Sequence, residues 1–148
     1  MSYRPLLTNE MRGSLRFQGA FPNFVSSVKL SATPILVVID GDHDYKAAKT
    51  DIKTALEMRP MPFALAFHDY CLRSPNTDER VDDAVAELLR DVPRVPMGTS
   101  PEEDPSMPTE SNPSPDGHYW KRGGTEGCFA FLPATRNRAS LLHRIFAE

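Results

Sequence analysis

No apolar run in the sequence approaches the length needed to cross a bilayer, which excludes a membrane-spanning helix. The opening "MSYRPLLTNEMRGSL" lacks the apolar core of a secretory leader. Positive charge is not in excess: 17 Lys and Arg stand against 20 Asp and Glu, the net charge is −3, and no basic stripe forms. That removes the electrostatic footprint of a nucleic-acid binder. Cysteine is reduced to Cys71 and Cys128, far apart and outside any CxxC pattern. Buried, reduced thiols are expected there in preference to a disulfide or a zinc site. The expectation is a cytoplasmic protein whose partners include neither a membrane nor a nucleic acid.

What is present begins with length. A chain of 148 residues, 40% hydrophobic and 25% charged, suits one globular domain large enough to bury a core. Proline is the exception to an ordinary composition, with 14 residues, about twice the usual share. Half of them crowd into "PRVPMGTSPEEDPSMPTESNPSP", residues 93–115. Proline removes a backbone donor and fixes φ, so no helix or central strand tolerates that density. A long, mobile loop over 93–117 is expected.

The remaining chain alternates. "LRFQG" (15–19) reads as a short strand and "PNFVSSVKL" (22–30) as a short helix with proline in its first turn. "ILVVI" (35–39) has the branching and apolarity of a buried strand. From Asp44, a helix N-cap, the residues Tyr45, Ala48, Ile52, Ala55 and Leu56 recur at helical spacing, and Pro60 and Pro62 stop the pattern. "FALAF" (63–67) is a second buried strand. A second helix follows "RSPNTDER", capped by Thr77 or Asp78, with Val81, Ala84, Val85, Leu88 and Leu89 on one face. "HYWKR" and "CFAFL" flank "GGTEG" and read as an antiparallel hairpin, and "ASLLHRIF" as a closing helix. The order predicts an α/β fold with a parallel sheet and an antiparallel element at its end.

Both apolar strands run into polar residues that carry chemistry: Asp40-Gly41-Asp42-His43-Asp44 after the first, His68-Asp69-Tyr70 after the second. Ligands in open α/β sheets bind beyond the carboxyl ends of the strands. If the strands are neighbours, Asp40 and Asp42 lie near His68 and Asp69 and can hold a divalent cation such as Mg²⁺ or Mn²⁺. His43 could instead serve as a general base, its ordinary pKa lying near neutrality. Asp-Gly-Asp is also common turn chemistry, and Asp before a helix is common capping. The pairing favours function, because two of only four histidines sit beside aspartates at the ends of the two most apolar strands. His118, Tyr119 and Trp120 read as packing, as does His143. "GGTEG" reads as a turn, since no strand-before, helix-after setting makes it a phosphate loop.

The combination "ILVVIDGDHDYKAAKTDIKTALEM…FALAFHDY…VDDAVAELL" resembles the C-terminal half of class I S-adenosylmethionine-dependent methyltransferases. The subgroup is the one with an "IDGDHSYE…FHDY" signature, similar to cation-dependent O-methyltransferases. The likeness covers residues 15–90 well and 118–133 loosely. It implies a Rossmann-like, partial parallel sheet with a C-terminal antiparallel hairpin, in a single truncated domain over 1–148. It implies metal ligands at Asp40, His68 and Asp69, a base at His43, and a cofactor border formed by Asp40, Gly41 and Asp42. The reaction implied is methyl transfer from S-adenosylmethionine to a hydroxyl of a small molecule or sugar.

The likeness is incomplete. The family grips its cofactor with a glycine-rich turn after the first strand and an acidic residue after the second, and this chain has neither. "LRFQG" matches the family's third strand, so the first two βα units are absent and the strand at 35–39 keeps an open edge. An apolar open edge promotes association. The chain is then a fragment of a split gene, or "LRFQG" fills the vacancy, or a second copy or partner chain covers the edge. Two other functions stay open: a non-catalytic remnant that binds or regulates a partner, and a metal-dependent hydrolase.

Overall fold

The computed structural model describes residues 34–133 and 135–147. The strand expected at 15–19 and the helix expected at 22–30 lie outside them. Nine elements follow in order: β1 (Leu36–Ile39), α1 (Tyr45–Glu57), β2 (Ala64–Phe67), β3 (Leu72–Arg73), α2 (Val81–Leu88), β4 (Arg94–Met97), β5 (Tyr119–Trp120), β6 (Gly127–Phe131) and α3 (Thr135–Phe146). The fold is mixed α/β. One sheet has four strands in the order β1-β2-β6-β4, and a separate ribbon pairs β3 with β5. No helix among the described residues is long and apolar enough to cross a membrane.

β1 and β2 pair in parallel, Leu36 opposite Ala64 and Ile39 opposite Phe67. A parallel pair needs a crossover, and α1 supplies it. All four residues of β2 are buried: the strand has neighbours on both sides, Leu65 and Phe67 face the core, and the other two residues are small alanines. β1 alternates exposed and buried, which fits its place at the sheet's end among the described residues. Val37, Ile39, Leu65, Phe67, Cys128 and Ala130 form one core with Ile52, Leu56, Val85 and Leu89. Ile52 and Leu56 retain no exposed surface, and burying such side chains is worth roughly 1.5–3 kcal/mol each. On the opposite face Leu36, Val38, Val95, Met97 and Phe131 stay exposed.

The helices end for local reasons. α1 stops where Met58 turns to an extended ψ of 147° ahead of the prolines. The Arg59 guanidinium then donates to the carbonyls of Glu57 and Met58, both at 2.9 Å, supplying partners to carbonyls the helix leaves free. Asp44 precedes α1 as expected, but its side chain makes no bond to that helix's own amides. The residue before α2 is Arg80 rather than Thr77 or Asp78. Negative charge there comes instead from Asp82 and Asp83 in the first turn, where the helix dipole favours it.

Two expectations need correction. "HYWKR" does not pair with "CFAFL": Tyr119 and Trp120 pair with Arg73 and Leu72, and β6 pairs with β2 and β4. An antiparallel element does join the parallel pair, through β6, but the hairpin is not what makes it. The second correction is that 93–117 is not all loop. Arg94–Met97 forms an edge strand on β6, with Pro96 opposite Cys128. An edge strand uses only one side of its backbone for pairing, so a proline is tolerated where a central strand would exclude it. The rest of the segment is tied by its own turns, including a mutual pair of backbone bonds between Thr109 and Asn112, both 3.0 Å.

Gly124 sits against the segment that follows β2. A Cβ there would collide with Cys71 Cβ and stand 2.8 Å from the Lys121 carbonyl oxygen. Gly124→Ala therefore has to displace backbone two residues from Asp69. A loss of about 1–3 kcal/mol is expected, the usual cost of overpacking, measured as a lowered urea midpoint.

Candidate metal centre

The parallel register sets the site. With Ile39 opposite Phe67, the next residues, Asp40 and His68, leave the sheet side by side, and the His68 amide donates to the Ile39 carbonyl at 3.1 Å. Successive residues of an extended strand point to opposite faces, so His68 and Asp69 could not meet if β2 simply continued. Asp69 instead takes a left-handed conformation, φ 47°, one that aspartate tolerates better than most side chains. The turn brings its carboxylate back beside its neighbour: Asp69 Oδ2 lies 3.3 Å from His68 Nδ1. A bond from the Leu72 amide to the Asp69 carbonyl, 3.1 Å, holds that turn.

His43 arrives from the β1–α1 loop. The loop is stitched to the residues before α2 by bonds from the Tyr45 amide to the Asp78 carbonyl (2.8 Å), the Asp78 amide to Asp44 Oδ1 (3.0 Å) and the Arg80 amide to the His43 carbonyl (3.2 Å). Arg80 also lies over the Tyr45 ring, 4.7 Å from its centroid. Asp44 thus caps the chain across the gap rather than its own helix.

Four side chains converge. His68 Nδ1 is 3.2 Å from Asp40 Oδ1, and His43 Nε2 is 3.8 Å from Asp40 Oδ1 and 3.6 Å from Asp69 Oδ2. One donor atom from each of Asp40, His43, His68 and Asp69 lies within 4.8 Å of the other three. His43 Nε2 is buried and has no hydrogen-bond partner, although it faces two carboxylates. Two anionic and two imidazole groups around one small space, with a buried nitrogen left unsatisfied, suit a divalent cation.

The expected residues divide cleanly. Asp40, His43, His68 and Asp69 come together; Gly41 and Asp42 do not join them. Both are exposed, and Asp42 Oδ1 accepts from the Asp44 amide at 3.0 Å. Burial, then the Asp42 charge, pushes the carboxyl of Asp51 in α1 above the ordinary carboxylate range. His118 sits outside the cluster, held 3.0 Å from Asp116 and 3.4 Å from Glu79, and these acidic neighbours, Asp116 foremost, raise its pKa. Sequence reading missed the 78–80 segment that anchors His43. It works through backbone groups, which every residue carries, so no side-chain pattern marks it. Cys71 and Cys128 are free and buried, as expected.

A carboxyl whose pKa is raised on folding adds stability that is full below the unfolded value and lost as pH climbs through the folded one. Asp51→Asn is therefore expected to raise the thermal midpoint at about pH 7 and to leave it unchanged at about pH 3, where both forms are neutral. Calorimetric melts at the two pH values test this.

Comparison of the chain with protein-family models, with curated proteins and with solved structures finds no match.

Proposed function

We propose that this chain is a methyltransferase-like protein of the class I, cation-dependent kind, and that its site holds a divalent metal and acts on a hydroxyl of a small molecule or sugar. The observation behind the reading is the convergence of Asp40, His43, His68 and Asp69 at the carboxyl ends of two adjacent parallel strands. That is the position where Rossmann-like sheets bind ligands.

The donor set fits a metal. Asp40, His68 and Asp69 form the closer trio, 3.2–3.3 Å between His68 and each carboxylate, and would be the ligands. A cation there would supply positive charge that makes an acceptor hydroxyl more acidic. His43, at 3.6–3.8 Å from the same oxygens, would take the hydroxyl proton at Nε2, which has no other partner. The loop stitched to Asp78 and Arg80 keeps that imidazole in place.

S-adenosylmethionine fits less well. Of the residues expected to border it, Asp40 belongs to the cluster and Asp42 is engaged with the Asp44 amide. The sequence contains no GxGxG turn to approach a bound nucleoside. The same absence favours a second reading, a non-catalytic metal-binding relative that acts through a partner.

Titration calorimetry of the folded chain separates the two. One equivalent of Mn²⁺ per chain, lost in Asp69→Asn, supports the metal centre, and a further heat with S-adenosylmethionine supports the transferase. Metal binding without S-adenosylmethionine binding moves the chain to the second reading. A folded chain that takes up no metal overturns both.

A further inference from the structure

We infer that the cluster is built for a first-row transition-metal cation of the manganese-to-zinc series and discriminates against Mg²⁺ and Ca²⁺, with His68 Nδ1 bound to the metal. The inference rests on the reading of these residues as a metal centre.

The donor chemistry points this way. Half of the four converging donors are imidazole nitrogens. Ca²⁺ takes about 6–8 oxygens, and Mg²⁺ demands near-ideal octahedral oxygen coordination, usually keeping several waters. Imidazole suits zinc, iron, nickel and copper, and carboxylate suits the harder ions. A cage of mixed nitrogen and oxygen therefore matches the borderline members of the series.

The spacing agrees. The four His-to-carboxylate distances run from 3.2 to 3.8 Å. Metal bonds of about 2.05 Å give a tetrahedral edge of about 3.3 Å, whereas the cis edge of a Mg²⁺ octahedron is about 2.9 Å. The closer pair of distances, those of His68, falls on the tetrahedral value, and those of His43 lie slightly beyond it.

The behaviour of the two histidines strengthens the argument. More than half of the His68 side chain is exposed, yet it turns Nδ1 inward between two carboxylates. His43 buries Nε2 against the same carboxylates without forming a hydrogen bond. A buried polar nitrogen beside a carboxylate ordinarily donates an N–H to it. His43 Nε2 makes no such bond, and His68 Nδ1 sits between two carboxylate oxygens, so both nitrogens are directed at the shared space, His68 as a ligand and His43 beside it.

The rival arrangement has Mg²⁺ on Asp40 and Asp69 alone, with both imidazoles as bystanders. The full chain, stripped of metal with a chelator, is titrated with Zn²⁺, Mn²⁺ and Mg²⁺, and the Mn²⁺-loaded protein is examined by pulsed electron paramagnetic resonance for ¹⁴N coupling. Zn²⁺ and Mn²⁺ are expected to bind at least about tenfold more tightly than Mg²⁺. Imidazole ¹⁴N coupling is expected in the wild type and diminished in His68→Ala, whose exposed position should spare the fold. Equal affinity for Mg²⁺ and Mn²⁺, or Mn²⁺ bound without nitrogen coupling, overturns the cation class while leaving a metal centre standing. No retention of any cation by the folded chain overturns the centre itself.

Discussion

The parallel pairing of β1 with β2 is the constraint on which the site depends. Its register places Ile39 opposite Phe67 and lets the His68 amide reach the Ile39 carbonyl. Side chains alternate along a strand, so a slip of β1 by one residue would turn Val37 and Ile39 out of the core and carry Asp40 away from His68. The apolar cost of such a slip protects the polar geometry beyond the strand ends. Hydrophobic burial, which is not directional, thus locates groups whose chemistry is.

A second layer of control lies in the loops. The β1–α1 loop carries His43, and the residues ahead of α2 hold it through backbone bonds and through Asp44. After β2, Asp69 reverses the chain at positive φ, and Asp82 draws the following segment together. Its amide donates to the Tyr70 carbonyl at 2.9 Å, and its carboxylate pairs with Arg73 at 2.5 Å and Lys121 at 3.1 Å. With little of its surface exposed, Asp82 is buried together with these two cationic partners. The proline-rich segment joins the same assembly, since the Thr99 amide donates to the Glu126 side chain at 2.9 Å and the Glu126 carbonyl accepts from the Tyr70 amide at 2.9 Å. What composition marks as loose chain is tied to β6 and to the residues just before it.

Much of this was legible in the sequence and some was not, and the division follows from range. Helical spacing from Tyr45 to Leu56 and from Val81 to Leu88 reported α1 and α2, because period and burial are local properties. The two apolar runs reported β1 and β2 for the same reason. The partners of Tyr119 and Trp120 were misread, since a glycine-rich turn suggested a near neighbour and the strand that pairs with them lies more than forty residues earlier. β4 was hidden by Pro96, which bars a central strand but not an edge.

For the candidate site, the sequence by itself determined which residues were available: two histidines and their aspartates, each directly after an apolar strand. It also determined that a glycine-rich nucleotide turn is missing. Only the tertiary structure decided that Asp40, His43, His68 and Asp69 share one space and that Asp42 accepts from the Asp44 amide instead. The reason is geometric. Proximity of donors from different segments depends on strand register and on one left-handed residue, and neither is written in any local pattern of residue types.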